Sequence, residues 1–373
     1  MDNKKLRADL LKNCHKIVVK AGTRLLTDKN RIGILVNGIA ELRKRNYQVI
    51  LVTSGAVGMG MKELGLEKRP KKLAEVQALA AIGQGKLMEI YEQECAAHGI
   101  KTAQLLLTAM DLRNRSRYLN AMNCINALLD NGVLPIVNEN DSVSVDELKF
   151  GDNDMLAAML GSLTNSELTI ILTTEMGLRD RDEHGELADR ISVVEHLDDS
   201  LMDIAQGTDN SEFSIGGMSS KLKAAHLVVA SGNYLYIADG REEDILQRIA
   251  DGDDVGTLFL PSERKLHSKK IWINFFSKCS GKLYVDSGAA NAITEKGKSL
   301  LPLGVKAIAG AFKRGDTVEI IEQKTQKIIA RGLVNYGAED CLKIMQKHSK
   351  TLADILGKDS PDEVVHRDNL VLI

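Results

Sequence analysis

The five cysteines, at 14, 95, 124, 279 and 341, are odd in number, form no C-x-x-C and do not cluster with histidine at metal-ligand spacing. That excludes a disulfide scaffold and a zinc motif, leaving the reduced thiols of a cytosolic protein. No apolar run approaches the roughly 20 residues that a membrane-spanning helix needs. Met1-Asp2-Asn3-Lys4-Lys5 leads into a mixed helical stretch without the apolar core of a signal peptide, so a soluble, cytoplasmic protein is expected. An excess of one charge sign is missing as well. The net charge of -2 gives no global pull toward nucleic acid.

Familiar phosphate signatures are also missing. Gly83-Gln84-Gly85-Lys86 comes nearest to a Walker loop. It lacks the upstream Gly, and Leu87 stands where Ser or Thr would meet magnesium. It lies inside a helical pattern and reads as structural. No G-x-G-x-x-G follows a first strand, which removes support for a nicotinamide cofactor. His366-Arg367-Asp368 looks like a protein-kinase catalytic loop, but it lacks the Asn and sits near the C-terminus.

What is present is ordinary in bulk: 373 residues, 44% hydrophobic and 27% charged. That length favours two domains. From Lys16 to about Leu260 short apolar strands alternate with amphipathic helices, as βαβ units require. Expected strands are Lys16–Val19, Gln48–Val52, Thr102–Leu106, Leu134–Val137, Leu168–Leu172 and Tyr234–Ala238. Expected helices are Ile34–Arg45, Leu73–His98, Arg115–Asp130, Asp154–Leu163, Gly217–Ala230 and Glu243–Ala250. Gly83 and Gly85 should weaken the middle of the second of these. A basic, acid-free stretch runs from Arg264 to Lys282. Strand-like pieces follow at Ile271–Phe275, Lys282–Asp286, Thr317–Ile321 and Lys327–Leu333, with Gly304, Gly310 and Gly315 between them. The division expected is a catalytic domain over 1–262, a linker and first strand over 263–280, a small β-rich domain over 281–358, and a tail over 359–373 packed on it.

Four polar, Gly-containing segments carry the chemistry. Lys20-Ala21-Gly22-Thr23 and Thr53-Ser54-Gly55-Ala56 each end an apolar, β-branched run. Asn138-Glu139-Asn140-Asp141, paired with Gly151-Asp152-Asn153-Asp154, follows another. Loops at the carboxyl ends of parallel strands are where open α/β sheets bind ligands. Gly216-Gly217-Met218-Ser219-Ser220-Lys221 opens an apolar-periodic helix, whose free N–H groups and dipole suit an anion. Each segment also has a plainer reading: a solvated strand-end lysine, a loop before a helix, or Asn and Asp acting as caps. Together they supply cations and N–H groups for phosphates, and acids to hold lysines, metal or substrate.

In that order the segments resemble the glutamate 5-kinase family of the amino acid kinase superfamily. The likeness covers nearly the whole chain, and the C-terminal region resembles a PUA domain, a module elsewhere associated with RNA. The resemblance implies an α/β three-layer sandwich with a mainly parallel sheet, plus a small β-rich PUA-like domain. It implies ATP-dependent phosphorylation of the side-chain carboxylate of L-glutamate to L-glutamate 5-phosphate, the first step of proline synthesis, with Mg²⁺. Lys20, Asp154 and Lys221 would be catalytic. Lys20, Gly22, Thr173, Thr174, Ile215, Gly216, Gly217, Met218, Ser219, Ser220 and Lys221 would bind ATP. Ser54, Asp141 and Asn153 would bind glutamate, and no residue is assigned to a metal. Implied partners are a second copy of the chain and the reductase that consumes glutamate 5-phosphate. Thr174, Arg24 and Ser214-Ile215 depart from the family's usual residues around the nucleotide; both lysines and Asp154 do not. Rival readings are a kinase of aspartate, N-acetylglutamate or UMP, and an RNA-binding regulator acting through the PUA-like domain.

Overall fold

The β-branched runs become strands buried on both faces, the pattern of a parallel sheet covered by helices on each side. In the computed structural model, residues 3–26, 29–144, 153–181, 187–197, 201, 217–262, 268–357 and 360–373 are described. Strands β1 (Lys16–Ala21), β2 (Gln48–Val52), β3 (Thr102–Leu107), β4 (Leu134–Glu139) and β5 (Leu168–Thr173) come first. A short antiparallel pair follows, β6 (Arg179–Arg181) and β7 (Leu187–Arg190), then β8 (Val193–Val194), β9 (Tyr234–Asp239) and β10 (Thr257–Phe259). The main sheet has the order β3-β4-β2-β1-β5-β9-β10-β8. All its pairings are parallel except β9 with β10. The chain leaves β1 toward β2 on one side and returns to β5 on the other. That reversal opens a crevice at the carboxyl ends of the central strands.

Helices α1 (Asn3–Lys12), α2 (Lys29–Lys44), α3 (Ala56–Glu63), α4 (Leu73–Ala96), α5 (Ala109–Arg113), α6 (Arg115–Asp130), α7 (Asn153–Leu163), α8 (Met218–Ala230) and α9 (Ile245–Ala250) fill the connections. Alternation along a strand sends neighbouring side chains to opposite faces. Ile17 and Val19 of β1 join a core with Ile32, Val36 and Ile39 of α2 and Leu87 and Tyr91 of α4. On the opposite face α7 lies close over β1 and β5: a β-carbon on Gly161 would stand 2.3 Å from Thr169 Oγ1 and 3.9 Å from Val18. The result is the three-layer α/β sandwich.

Gly83 does not merely weaken α4. A β-carbon there would stand 1.8 Å from the carbonyl oxygen of Ala56, and one on Gly60 would stand 2.0 Å from that of Leu79. Two glycines, one from each helix, therefore let α3 and α4 touch backbone to backbone. α2 begins at Lys29, ahead of the expected Ile34, because its first turn is polar and carries no apolar periodicity. α1 is fastened by Arg7, which is fully buried. Its guanidinium donates to Tyr236 Oη at 2.6 Å, Val255 O at 2.9 Å, Ser192 O at 2.8 Å and Asp254 Oδ1 at 2.9 Å.

The chain divides into two compact units, Met1–Lys265 and Leu266–Ile373. The second holds a five-stranded sheet of β11 (Cys279–Val285), β12 (Val305–Gly310), β13 (Thr317–Glu322), β14 (Ile328–Leu333) and β15 (Leu370–Leu372), ordered β12-β11-β13-β14-β15. Leu283, Val285, Ile320, Ala330 and Val365 are in its core. One expected strand is corrected. Ile271–Phe275 is helical, a short helix Ser268–Ile271 running into a wider turn Trp272–Phe276, where Ser277 N bonds back to Trp272 O at 3.0 Å. A short apolar run has the same composition whether it is a buried strand or a buried helical turn, and periodicity over so few residues cannot separate them.

Candidate active site

Val18 and Lys20 point from β1 toward the face that α7 covers. Asp154 is the second residue of α7, in the first turn, where a carboxylate meets the positive end of the helix dipole. Lys221 lies in the first turns of α8, which packs beside α7. The three side chains converge: Lys20 Nζ is 2.5 Å from Asp154 Oδ1, and Lys221 Nζ is 3.0 Å from Asp154 Oδ2. All are buried, at 4%, 0% and 6% exposure. Holding charges out of water is costly unless they are paired. Taken alone, two ammonium groups on one carboxylate carry a net positive charge, which suits an arriving anion.

Beside Lys20, Gly22 heads the short turn Thr23–Leu25, and a β-carbon on it would stand 3.6 Å from Lys20 Nζ. Gly217 caps α8, with Met218, Ser219 and Ser220 half-buried in its first turn. Thr173 ends β5 and Thr174 follows it, both half-buried. Arg24 is exposed. Gly151, Asp152, Ser214, Ile215 and Gly216 lie outside the described residues. Asp239, beside Thr173 in the register, was not singled out from the sequence. Burial pushes its carboxyl up, but hydrogen bonds from the Arg241 side chain and backbone outweigh this and hold it below the usual range.

A second cluster forms where β2 and β4 end. Gly55 caps α3 with a φ of 98°, a left-handed conformation that glycine adopts without strain. The sharp turn leaves Ser54 against Asn153 of α7. Asn153 Nδ2, with two N–H groups to share, lies within hydrogen-bond distance of three acceptors: Thr53 O at 2.5 Å, Ser54 Oγ at 3.0 Å and Asn138 Oδ1 at 2.9 Å. Asp141 lies half-buried in the turn that follows β4. The expected acceptor residues Ser54 and Asn153 are thus brought together, and Asn138 joins them. Gln77, Gln84 and Tyr91 of α4 also reach this cluster. Sequence reading passed over them, although polar side chains seven residues apart on an otherwise apolar helix face were a usable signal. Among the described residues no three His, Cys, Asp or Glu side chains are grouped to hold a metal, and no helix is long and apolar enough to cross a membrane.

The profile of the Amino acid kinase family matches residues 15–239, and that of the PUA domain residues 281–356. A Glutamate 5-kinase of Thermoanaerobacter sp. (strain X514) is 46% identical over 365 residues, covering 96% of this chain and 98% of the relative. One from Methylococcus capsulatus (strain ATCC 33009 / NCIMB 11132 / Bath) is 43% identical, covering 97% and 98%. A solved structure of Giardia carbamate kinase superposes with a TM-score of 0.48 at 18% identity, over 67% of this chain and 100% of that one.

Proposed function

This chain belongs to the amino acid kinase family, among the glutamate 5-kinases, and from that premise we propose how its own residues carry the reaction. It phosphorylates the side-chain carboxylate of L-glutamate with ATP, forming L-glutamate 5-phosphate. The acceptor, with a reference pKa of about 4.3, is ionised at neutral pH and needs no general base. Asp154 already engages two lysines and is not called upon to take a proton. The difficulty is to bring one anion up to another. Lys20, Lys221 and the N–H groups at the start of α8 offset that repulsion and stabilise charge on the moving phosphoryl group.

The observation that carries this reading is the buried Lys20–Asp154–Lys221 bridge at the carboxyl ends of the central strands. Asp154 fixes both ammonium groups, so little reorganisation is needed when the phosphates arrive. Gly22, Thr173, Thr174 and the segment Ile215–Lys221 are assigned to ATP; Ser54, Asp141 and Asn153 to glutamate. Ser54 and Asn153 are neutral and orient an anionic acceptor without adding repulsion. Mg²⁺ is assigned to the nucleotide, since Mg²⁺ in such sites rides largely on substrate phosphates. The reaction fits a cytoplasmic setting, a homo-oligomer, and a reductase that takes the labile product. The test is ADP release with and without L-glutamate, with hydroxylamine trapping the acyl phosphate as a hydroxamate. Glutamate-dependent release and hydroxamate formation are expected; equal release in both conditions would overturn the reading.

A further inference from the structure

Gln77, Gln84 and Tyr91 stand seven residues apart on α4 and therefore lie on one face of it. Each touches a different segment in or beside the acceptor cluster. Gln77 Nε2 donates to Ser144 O at 3.1 Å. Gln84 Oε1 accepts from Asn138 Nδ2 at 2.8 Å. The Tyr91 hydroxyl bonds Thr53 Oγ1 at 2.9 Å. The helix carrying them is docked on α3 by the glycine contact at Gly83, the residue next to Gln84.

The polarity of this amide network follows from two main-chain groups. The Glu139 N–H can only donate, and it donates to Asn138 Oδ1 at 2.9 Å. The Thr53 carbonyl can only accept, and it accepts from Asn153 Nδ2. Both asparagine amides are thereby oriented. Asn138 Nδ2 must be a donor, so Gln84 must offer it Oε1. The Asn153 carbonyl oxygen is turned away from the network, and the Ser54 hydroxyl, an acceptor here, keeps its own proton to give.

Gln84 is 8% exposed, and its Nε2 is buried with no hydrogen-bond partner. A buried, unpaired donor is unfavourable, and methionine would fill such a helix position without it. The usefulness of this side chain lies at Oε1. We propose that Gln84 is a positioning residue for the acceptor pocket. It accepts from Asn138 Nδ2 and so reinforces the orientation, set by the Glu139 N–H and the Thr53 carbonyl, in which the acceptor meets an oxygen at Asn153 and a hydroxyl proton at Ser54. That pair matches the ammonium and a carboxylate of an α-amino acid. The inference rests on the kinase reading above.

The experiment measures KM for L-glutamate and for ATP in the full chain carrying Gln84→Met or Gln84→Glu. Gln84→Met orphans Asn138 Nδ2, and the glutamate KM should rise about tenfold, the scale of one lost hydrogen bond, while the ATP KM stays within about twofold of wild type. Gln84→Glu places a carboxyl in a buried site, where burial raises its pKa. Either form offers Asn138 Nδ2 an acceptor oxygen, but only the neutral form does so without a negative charge beside the anionic acceptor. Its glutamate KM, compared with wild type at each pH, should fall toward the wild-type value between pH 8 and pH 6. A glutamate KM unchanged in both variants, or both KM values rising together without recovery at low pH, would show Gln84 to be packing only. Should Gln84→Met fail to fold, the pH profile of Gln84→Glu decides alone, recovery supporting the proposal and a flat profile overturning it. A wild-type chain without glutamate-dependent ADP release would instead sink the kinase reading.

Discussion

Lys20 Nζ and Asp154 Oδ1 are 2.5 Å apart in a site almost closed to water, and Asp154 holds Lys221 by its other oxygen at 3.0 Å. A charge that acts chiefly on the transition state lowers kcat when removed, more than it raises KM. Lys221→Ala and Asp154→Ala should each cost about 10²-fold or more in kcat, the scale of one electrostatic stabiliser. Asp154→Ala should also lose stability, by about 3 kcal/mol, because it leaves two buried cations facing each other. Steady-state kinetics with denaturant unfolding checks both. A near-normal kcat in either variant removes that residue from its assigned role.

Asn153 and Asp141 are assigned to the acceptor. Their alanine variants should raise the KM for glutamate well beyond that for ATP. If the ATP KM is the one that moves, the two halves of the site have been exchanged. Asn153→Ala should have the larger effect on geometry, since it also empties the hydrogen bonds to Thr53, Ser54 and Asn138.

The parallel sheet was legible because its strands are short β-branched runs ending in polar glycine turns. Ile17-Val18-Val19 and Val49-Ile50-Leu51-Val52 fall within β1 and β2. Lys20, Asp154 and Lys221 could be named as candidates, and the resemblance implied that Asp154 orders the two lysines; the fold adds the geometry, one carboxylate between lysines drawn from β1 and α8. α3 was missed because Ala56-Val57-Gly58-Met59-Gly60 looks like a flexible loop; its Gly60 serves the contact with α4. Gln84 was hidden for a similar reason. It sits inside a glycine-rich string whose nearest named motif is a phosphate loop, and a side chain that acts through a distant asparagine leaves no local pattern.

Four glycines in α3 and α4 separate packing from propensity. A β-carbon on Gly60 or Gly83 would meet backbone atoms at 2.0 Å and 1.8 Å, whereas Gly58 and Gly85 have nothing within 4 Å. Gly83→Ala and Gly60→Ala should therefore force the helices apart and destabilise by roughly 2 kcal/mol or more, as overpacking does. They should also raise the glutamate KM, because α3 begins directly after Ser54 and Gly55. Gly58→Ala and Gly85→Ala should instead stabilise by up to about 1 kcal/mol through helix propensity. Thermal unfolding of the four single variants tells these apart. Equal effects at all four positions would contradict the contact.

Burial pushes the Tyr236 phenol up to about 12, against the pull of the Arg7 cation, which lowers it. An unfolded tyrosine titrates near 10. The folded state therefore keeps this proton over a range where the unfolded state loses it. The contribution is complete below about pH 10 and is lost as pH rises toward about 12, in all about 3 kcal/mol. Stability of the wild type should fall more steeply across that window than stability of Tyr236→Phe, which has no proton to lose. Parallel slopes would mean that Arg7 and Tyr236 do not sit in the buried arrangement described.

The residues assigned to catalysis all precede Ser262, whose backbone N–H is tied to Val229 O at 2.9 Å within the first unit. A chain ending at Ser262 retains every strand of the large sheet and the core around β1, so it should fold and keep glutamate-dependent ADP release. Its regulation or assembly should be what changes. If residues 264–373 serve RNA instead, that segment alone should bind structured RNA with a steep dependence on salt, because phosphate contacts release counterions. A truncated chain that is folded by circular dichroism and thermal unfolding, yet has no kinase activity, would show that the C-terminal domain is needed to complete the active site.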